Sequence, residues 1–351
     1  MRPKEYRIKE LLRKKGLDGA IVSSPENFHY VTGFGGHQHT VSRQPGFTLA
    51  VMRADDKVPT HLTTMDFEAA TFRIKAAGLN FVVDPYDTWV GLKTWDEIAH
   101  GAVVPDKTAM ESSMDKLVQF MKACDLANKK VGIELDYLPV PYYKSLTEKF
   151  PEAEFVDISD LFVYARSVKQ PDEIEMFRKL CRIADHGFTE VSKIAKIGVS
   201  ERELAQCFRE DVIKSGFCAP SSWSMFSTGP SSARLTLPGD GVVKDGDVVK
   251  FDAGVNAEFD FYTTDTSRAW IIGNGDPALL KLKDRLYEGQ RRMIAAAKPG
   301  LPINELYHTA YDYVKEMFPC YRRGHQGHSI SMGPATAEAP YINASETRPL
   351  E

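Results

Sequence analysis

Ile8, Leu11 and Leu12 recur at helical spacing in an otherwise charged N-terminal stretch, and Gly16 follows the basic run Arg13-Lys14-Lys15. That pattern predicts an amphipathic helix with a solvated basic end, closed by a glycine. Beyond it, short apolar runs alternate with longer periodic ones. "GAIVSS", "GFTLAVM", "NFVVD" and "KVGIEL" have the length and β-branched content of strands, whereas "MDKLVQFMKACDLANK" repeats with helical period. Alternating strands and helices predict an α/β first domain over residues 1–160.

The stretch "FPEAEFVDISDLFVYARSVKQPDEIEMFRKL" reads as the joint, because Pro171 followed by acidic residues is a helix-start signal. A long helix is expected from about Asp172 into "DHGFTEVSKIAKIG", and Ser200 with Glu203 forms a capping-box pattern at the head of a second. The glycine-aspartate turns "PGDG" and "KDGD" precede two adjacent strands. Leu279, Leu282, Leu286 and Met293 then mark one face of a further helix, and "NELYHTAYDYVKEMF" is followed by a strand at "GHSISMG". Two helix-then-strand units predict an α+β second domain over residues 161–351.

Composition narrows the partners more than the fold. A formal charge of −4 and a pI near 6.2 give no electrostatic reason to expect nucleic acid or an anionic membrane. The five cysteines are scattered without CxxC spacing, which argues against a disulfide framework and fits a reducing compartment. The N-terminal stretch carries no apolar signal core and no run approaches a membrane span, so the expectation is a cytoplasmic protein.

Candidate chemistry concentrates in "FDAGVNAEFDFYTTDTSRAW". Strands are depleted in aspartate, and an unpaired buried carboxylate is costly. If Val248–Asn256 and Phe261–Arg268 pair as a hairpin turning at Glu258-Phe259, Asp252 lies opposite Asp265 on one face. Two ionised carboxylates so placed repel unless a proton or a cation sits between them. A polar network satisfied around Arg268 is the alternative. His325 and His328 follow glycines in a short strand-forming segment, where Gly327 permits close backbone approach. Two carboxylates and an imidazole suit Mn²⁺, Fe²⁺, Co²⁺ or Zn²⁺, although three ligands hold two ions poorly.

"VVKFDAG…YTTDTSRAW" resembles the D-x-G … D-[IT]-[ST]-R signature of the pita-bread metallohydrolases, the superfamily of prolidase, aminopeptidase P, methionine aminopeptidase and creatinase. "GHSIS" is similar to the superfamily's metal-binding G-H-[GS]-[IVF]-G, and "EAPYI" to its H-E-x-P-x-[IL]. "ARSVKQPDEIEMFRKLCRIAD" looks like the opening of the same catalytic domain, and "RIKELLRKKGLDGAIVSSPENFHYVTGF" like the start of a creatinase/prolidase N-terminal domain. The match runs collinearly along nearly the whole chain.

The resemblance implies a creatinase/prolidase-type α/β domain followed by an α+β pita-bread catalytic domain, in a homodimer acting on a dipeptide or other small molecule. It implies two divalent metal ions (Mn, Co, Fe or Zn) on Asp252, Asp265 and His328, with Tyr262 and Arg268 orienting the carboxylates. Glu338 would contact the substrate. Arg43, in a creatinase-like loop that dimers of the family bring to the partner's active site, would bind a substrate carboxylate. His37 and His39 in that loop read as loop residues rather than ligands.

Three departures bear on activity. The chain ends at "NASETRPLE", where the family's P-G-M-V segment and its glutamate ligands would begin, so a C-terminally truncated catalytic domain is expected. Thr236 stands near the expected position of a substrate-contacting histidine, and Ala337 replaces the histidine of H-E-x-P. Losing both imidazoles weakens the case for peptide hydrolysis. Three readings follow: a metal-dependent Xaa-Pro dipeptidase-like hydrolase; a relative acting on a non-peptide substrate, as creatinase, ectoine hydrolase or a dimethylsulfoniopropionate lyase does; or a catalytically silent scaffold.

Overall fold

The computed structural model describes residues 2–88, 93–102, 112–333 and 337–351. The chain divides into two compact units, 1–165 and 166–351. The sequence places the joint at 160/161, a few residues earlier, inside a helix that spans Ser159–Ser167.

The first unit begins with helix α1 (Pro3–Lys14), strand β1 (Gly19–Val22), α2 (Pro25–Thr32) and α3 (His37–Val41). Strands β2 (Leu49–Arg53) and β3 (Thr60–Thr63), helix α4 (Ala69–Ala76), β4 (Phe81–Val83) and α5 (Trp95–Ala99) follow. The unit closes with α6 (Ser113–Ala123), β5 (Lys130–Ile133), α7 (Val140–Lys149), β6 (Glu154–Asp157) and most of α8 (Ser159–Ser167), whose last two residues belong to the second unit. Its strands form one mixed sheet in the order β4-β3-β2-β1-β5-β6, antiparallel at β1/β2 and β2/β3 and parallel elsewhere. Ile21, Val51, Phe120, Val131 and Leu146 are buried together where α6 and α7 cover it. The turn after β1 is fixed by a buried carboxylate: Glu134 accepts from the backbone N–H and hydroxyl of both Ser23 and Ser24 and from the Asn27 amide. Ser24 also caps α2 through the Asn27 N–H, with Pro25 in its first turn.

The second unit opens on α9 (Pro171–Ile194) and α10 (Glu201–Lys214), the latter capped by Ser200 and Glu203 as the sequence predicts. Strands β7 (Cys218–Pro220), β8 (Met225–Thr228), β9 (Val248–Ala253), β10 (Val255–Ala257) and β11 (Thr266–Ile271) come next. Helices α11 (Pro277–Ala296) and α12 (Ile303–Met317) precede the short strands β12 (His328–Ser329) and β13 (Glu338–Tyr341). The sheets are β11-β9-β8, β10-β7 and β12-β13, all antiparallel.

Strand β9 organises this unit by alternation. Val249, Phe251 and Ala253 are fully buried, whereas Val248, Lys250 and Asp252 on the other face are half-buried. Phe251 stands 5.0 Å from Phe226 and 6.3 Å from Phe188, ring centre to ring centre, and Phe208 closes the group 5.2 Å from Phe188. This aromatic core joins α9 and α10 to the sheet and leaves Asp252 on the opposite face. Along α11, by contrast, the predicted apolar stripe is buried only at Met293, and Leu279 and Leu286 stay exposed.

Phe251→Ala is expected to lower unfolding stability by about 3–5 kcal/mol, through lost burial and a cavity between two helices and a sheet. Urea unfolding of the variant measures this, and a loss under about 1 kcal/mol would place the core elsewhere.

Candidate metal centre

The structure keeps Asp252 and Asp265 on one face but not directly opposite. Asp252 pairs with Ser267 on β11 and with Met225 on β8, so the ladder is shifted by two residues from the predicted register. The cause is the connection. Ala257 N–H donates to the Tyr262 carbonyl at 2.8 Å, and Phe261 adopts φ +63°, which lengthens the turn beyond the tight one expected. Because side chains alternate with period two, an even shift preserves the face.

The ladder breaks beside the two acids, at Gly254. A Cβ on Gly254 would collide with the Thr264 carbonyl oxygen, the Ser221 hydroxyl and the Trp223 ring. The glycine of D-x-G therefore permits close backbone approach between Asp252 and the segment that carries Asp265. Val255 N–H donates instead to the Thr264 hydroxyl at 2.9 Å.

His328 reaches this face from β12. Its Nε2 lies 3.1 Å from Asp265 Oδ2, with both side chains mostly buried. Its Nδ1 donates to the Ser329 carbonyl at 3.0 Å. With Nδ1 committed as a donor, Nε2 and a carboxylate oxygen can share only a proton or a cation. The hydrogen bond to Asp265 raises the His328 pKa, against the effect of burial. Asp252 is also raised, first by burial and then by the Asp265 charge, while Lys250, Arg323 and His328 pull it down. Among the described residues, no three His, Cys, Asp or Glu side chains converge to hold a metal ion. Asp265 and His328 thus come together as two donors, with the Asp252 charge felt beside them, and not as a closed ligand shell.

The other predicted residues lie elsewhere. Arg268 pairs across the ladder with Phe251, on the core side, and donates to Asp185 of α9 at 2.6 Å; it does not orient the carboxylates. Tyr262 is buried, donates to Glu173 at 2.9 Å and meets the Phe177 ring edge-on, so it ties the turn to α9. Glu338 accepts from Arg166 at 2.6 Å, a partner that a substrate would have to share. In the first unit Arg43 is ion-paired to the nearly buried Glu26, a partner that a substrate carboxylate would have to displace. His39 is wholly buried in α3 against Phe28, 2.9 Å from the Ser23 carbonyl, and burial pushes its pKa down to about 4.

Sequence reasoning missed two supports. Glu201, buried in the first turn of α10, accepts from Thr228 N–H at 2.9 Å, Gly239 N–H at 2.8 Å and the Ser231 hydroxyl. It fastens both ends of the segment that carries Thr236. Lys250 shares the Asp252 face and donates to the Arg234 carbonyl of the same segment at 2.9 Å. Its place in "VVKFDAG", two residues from Asp252, was the available signal.

An α/β unit followed by a unit with two acids and a histidine on one sheet face, the histidine paired to one of the acids, defines a two-domain protein with a candidate metal centre. The chain belongs to metallopeptidase family M24, which its residues 175–351 match, and residues 6–168 match the creatinase/prolidase N-terminal domain. It is 24% identical over 350 residues to the uncharacterized peptidase YqhT of Bacillus subtilis, covering 98% of this chain and 86% of that one. It is 30% identical over 216 residues to the Xaa-Pro dipeptidase of Pyrococcus furiosus, covering 59% of this chain and 61% of that one. The Xaa-Pro dipeptidase structure from Bacillus anthracis superposes with a TM-score of 0.77 at 22% identity, covering 99% of this chain and 86% of that one. The N-terminal domain of the FACT complex subunit SPT16 from chickpea superposes with a TM-score of 0.66 at 16% identity, covering 98% and 84%. No described helix is long and apolar enough to cross a membrane.

Two outcomes test the centre. In metal-free protein the His328–Asp265 pair stabilises the fold fully below the ordinary histidine value of 6.5, and that contribution disappears as pH rises through the raised value. Asp265→Asn is expected to return His328 to or below 6.5 in an NMR titration, whereas an unchanged titration assigns the shift to another cause. Gly254→Ala is expected to cost about 1–3 kcal/mol in thermal unfolding, since a backbone carbonyl cannot move aside as a side chain can.

Proposed function

We propose that the protein is a metal-dependent hydrolase that cleaves an amide bond of a small peptide, as Xaa-Pro dipeptidases do. The observation that carries this reading is the Asp265–His328 contact, on the sheet face that also holds Asp252, within a chain of the M24 family. Asp265 Oδ2 and His328 Nε2 would hold a divalent cation, with Asp252 contributing charge beside them. When bound, such an ion polarises a carbonyl and acidifies its bound water.

This chain's residues have distinct tasks around that centre. The Ser329 carbonyl retains the His328 Nδ1 proton, which leaves Nε2 as the coordinating atom. Lys250 and Arg323 supply positive charge beside Asp252, which favours a substrate with an anionic end such as a dipeptide carboxylate. Glu201 and Lys250 fix the neighbouring segment, where Thr236 offers a hydroxyl in place of an imidazole. That replacement, together with Ala337, favours a non-peptide amide as the second reading.

Metal analysis of protein purified with Mn²⁺, Co²⁺, Fe²⁺ or Zn²⁺, followed by assay on a panel of Xaa-Pro dipeptides, tests both readings. Retained metal and released proline are expected, and Asp265→Asn should abolish both while leaving folded protein. Retained metal without proline release would transfer the reading to the non-peptide substrate. Absence of metal in the unsubstituted protein would overturn the hydrolase reading.

A further inference from the structure

Strands β12 and β13 do not by themselves fix the imidazole. Their register shifts at His328/Ser329, where His328 faces Tyr341 and Ser329 faces Glu338. An irregular ladder re-aims a side chain and also gives it slack, so a precise imidazole needs an anchor outside the ladder. Such an anchor is present on the connection between α8 and α9. The Lys169 ammonium donates to the Ser329 hydroxyl at 3.2 Å, to the Arg166 carbonyl at 2.6 Å and to the Ser167 carbonyl at 3.4 Å. Those three acceptors match its three N–H donors.

Neighbouring contacts hold the same strand pair. Arg166 grips Glu338, which stands opposite Ser329, at 2.6 Å and 3.5 Å. Glu173 adds negative charge near Lys169 and is itself bonded to Tyr262. Burial pushes the Lys169 pKa down to about 8, so desolvation is the dominant influence on this ammonium. Among the described residues Lys169 forms no salt bridge with a carboxylate. Its hydrogen-bond partners there are two carbonyls and the serine that follows His328, and its ammonium lies 5.8 Å from the Phe177 ring centre.

We propose that Lys169 is a positioning residue for His328, acting through Ser329. Ser329 is bound at both ends: its hydroxyl accepts from Lys169 and its carbonyl accepts from His328 Nδ1. Moving the lysine moves the serine, and with it the acceptor that sets the imidazole's orientation and tautomer. The chain Lys169–Ser329–His328 therefore couples the entry of the second unit to the donor atom facing Asp265. The inference rests on the reading of His328 as a ligand, and its test separates the two.

The experiment uses the full chain carrying Lys169→Met, Lys169→Arg, Ser329→Ala, the double variant Lys169→Met/Ser329→Ala and, as a control, Lys179→Met on the exposed side of α9. Imidazole nitrogen shifts of His328 are read by NMR in metal-free protein, and Mn²⁺ and Zn²⁺ affinities by calorimetry. Lys169→Met and Ser329→Ala should each shift His328 towards a mixed tautomer and weaken metal binding by about 10–100-fold. The double variant should lose little more than either single one, because both cut the same chain. Lys169→Arg should recover part of the loss, and Lys179→Met should change nothing. If Lys169→Met does not fold, Ser329→Ala decides alone. Unchanged His328 shifts in the folded variants would overturn the positioning role. Altered shifts in protein that binds no metal at all would support that role and overturn the ligand reading instead.

Discussion

Two carboxylates half-buried on one face of a sheet cannot both remain ionised without positive charge nearby. That constraint governs the second unit. It accounts for Lys250 and Arg323 beside Asp252, for the imidazole against Asp265, and for a serine carbonyl that holds the far side of that imidazole. The aromatic cluster around Phe251 supplies the rigid backing. A strand packed that firmly on one face holds the residues of its other face, Asp252 among them, in place.

Much of the centre was legible in the sequence because alternation is local. Period two separates Asp252 and Asp265 from the other acids of their segment, whatever the exact pairing. The register was not legible, because it depends on how many residues the turn consumes, and the left-handed Phe261 is not a residue that announces such a turn. Arg268 shows the same principle neglected. Its parity already places it on the core side with Phe251, and only its place in the D-[IT]-[ST]-R pattern brought it to the carboxylates.

Glu338, Arg43 and Lys169 show where sequence reasoning stops. Each is a charged residue in a motif, and a motif cannot say whether a charge faces a ligand or a neighbouring charge. Glu338 and Arg43 proved to be committed to Arg166 and Glu26, whereas Lys169 satisfies two carbonyls of its own connection and one serine distant in sequence. In the first unit, the strands missed were β3 and β6. Both are short and carry polar residues within the strand, so period and composition gave little warning.

The connection between β10 and β11 has a further consequence, for heredity rather than chemistry. Where a change in its length is taken up by sliding β11 along β9, an even change keeps Asp265 on the Asp252 face and an odd change turns it towards the aromatic core, so insertions and deletions there are not equivalent. A single-residue slide then needs a compensating bulge, whereas a two-residue slide does not. The turn thus behaves as a counter that evolution can advance only in steps of two.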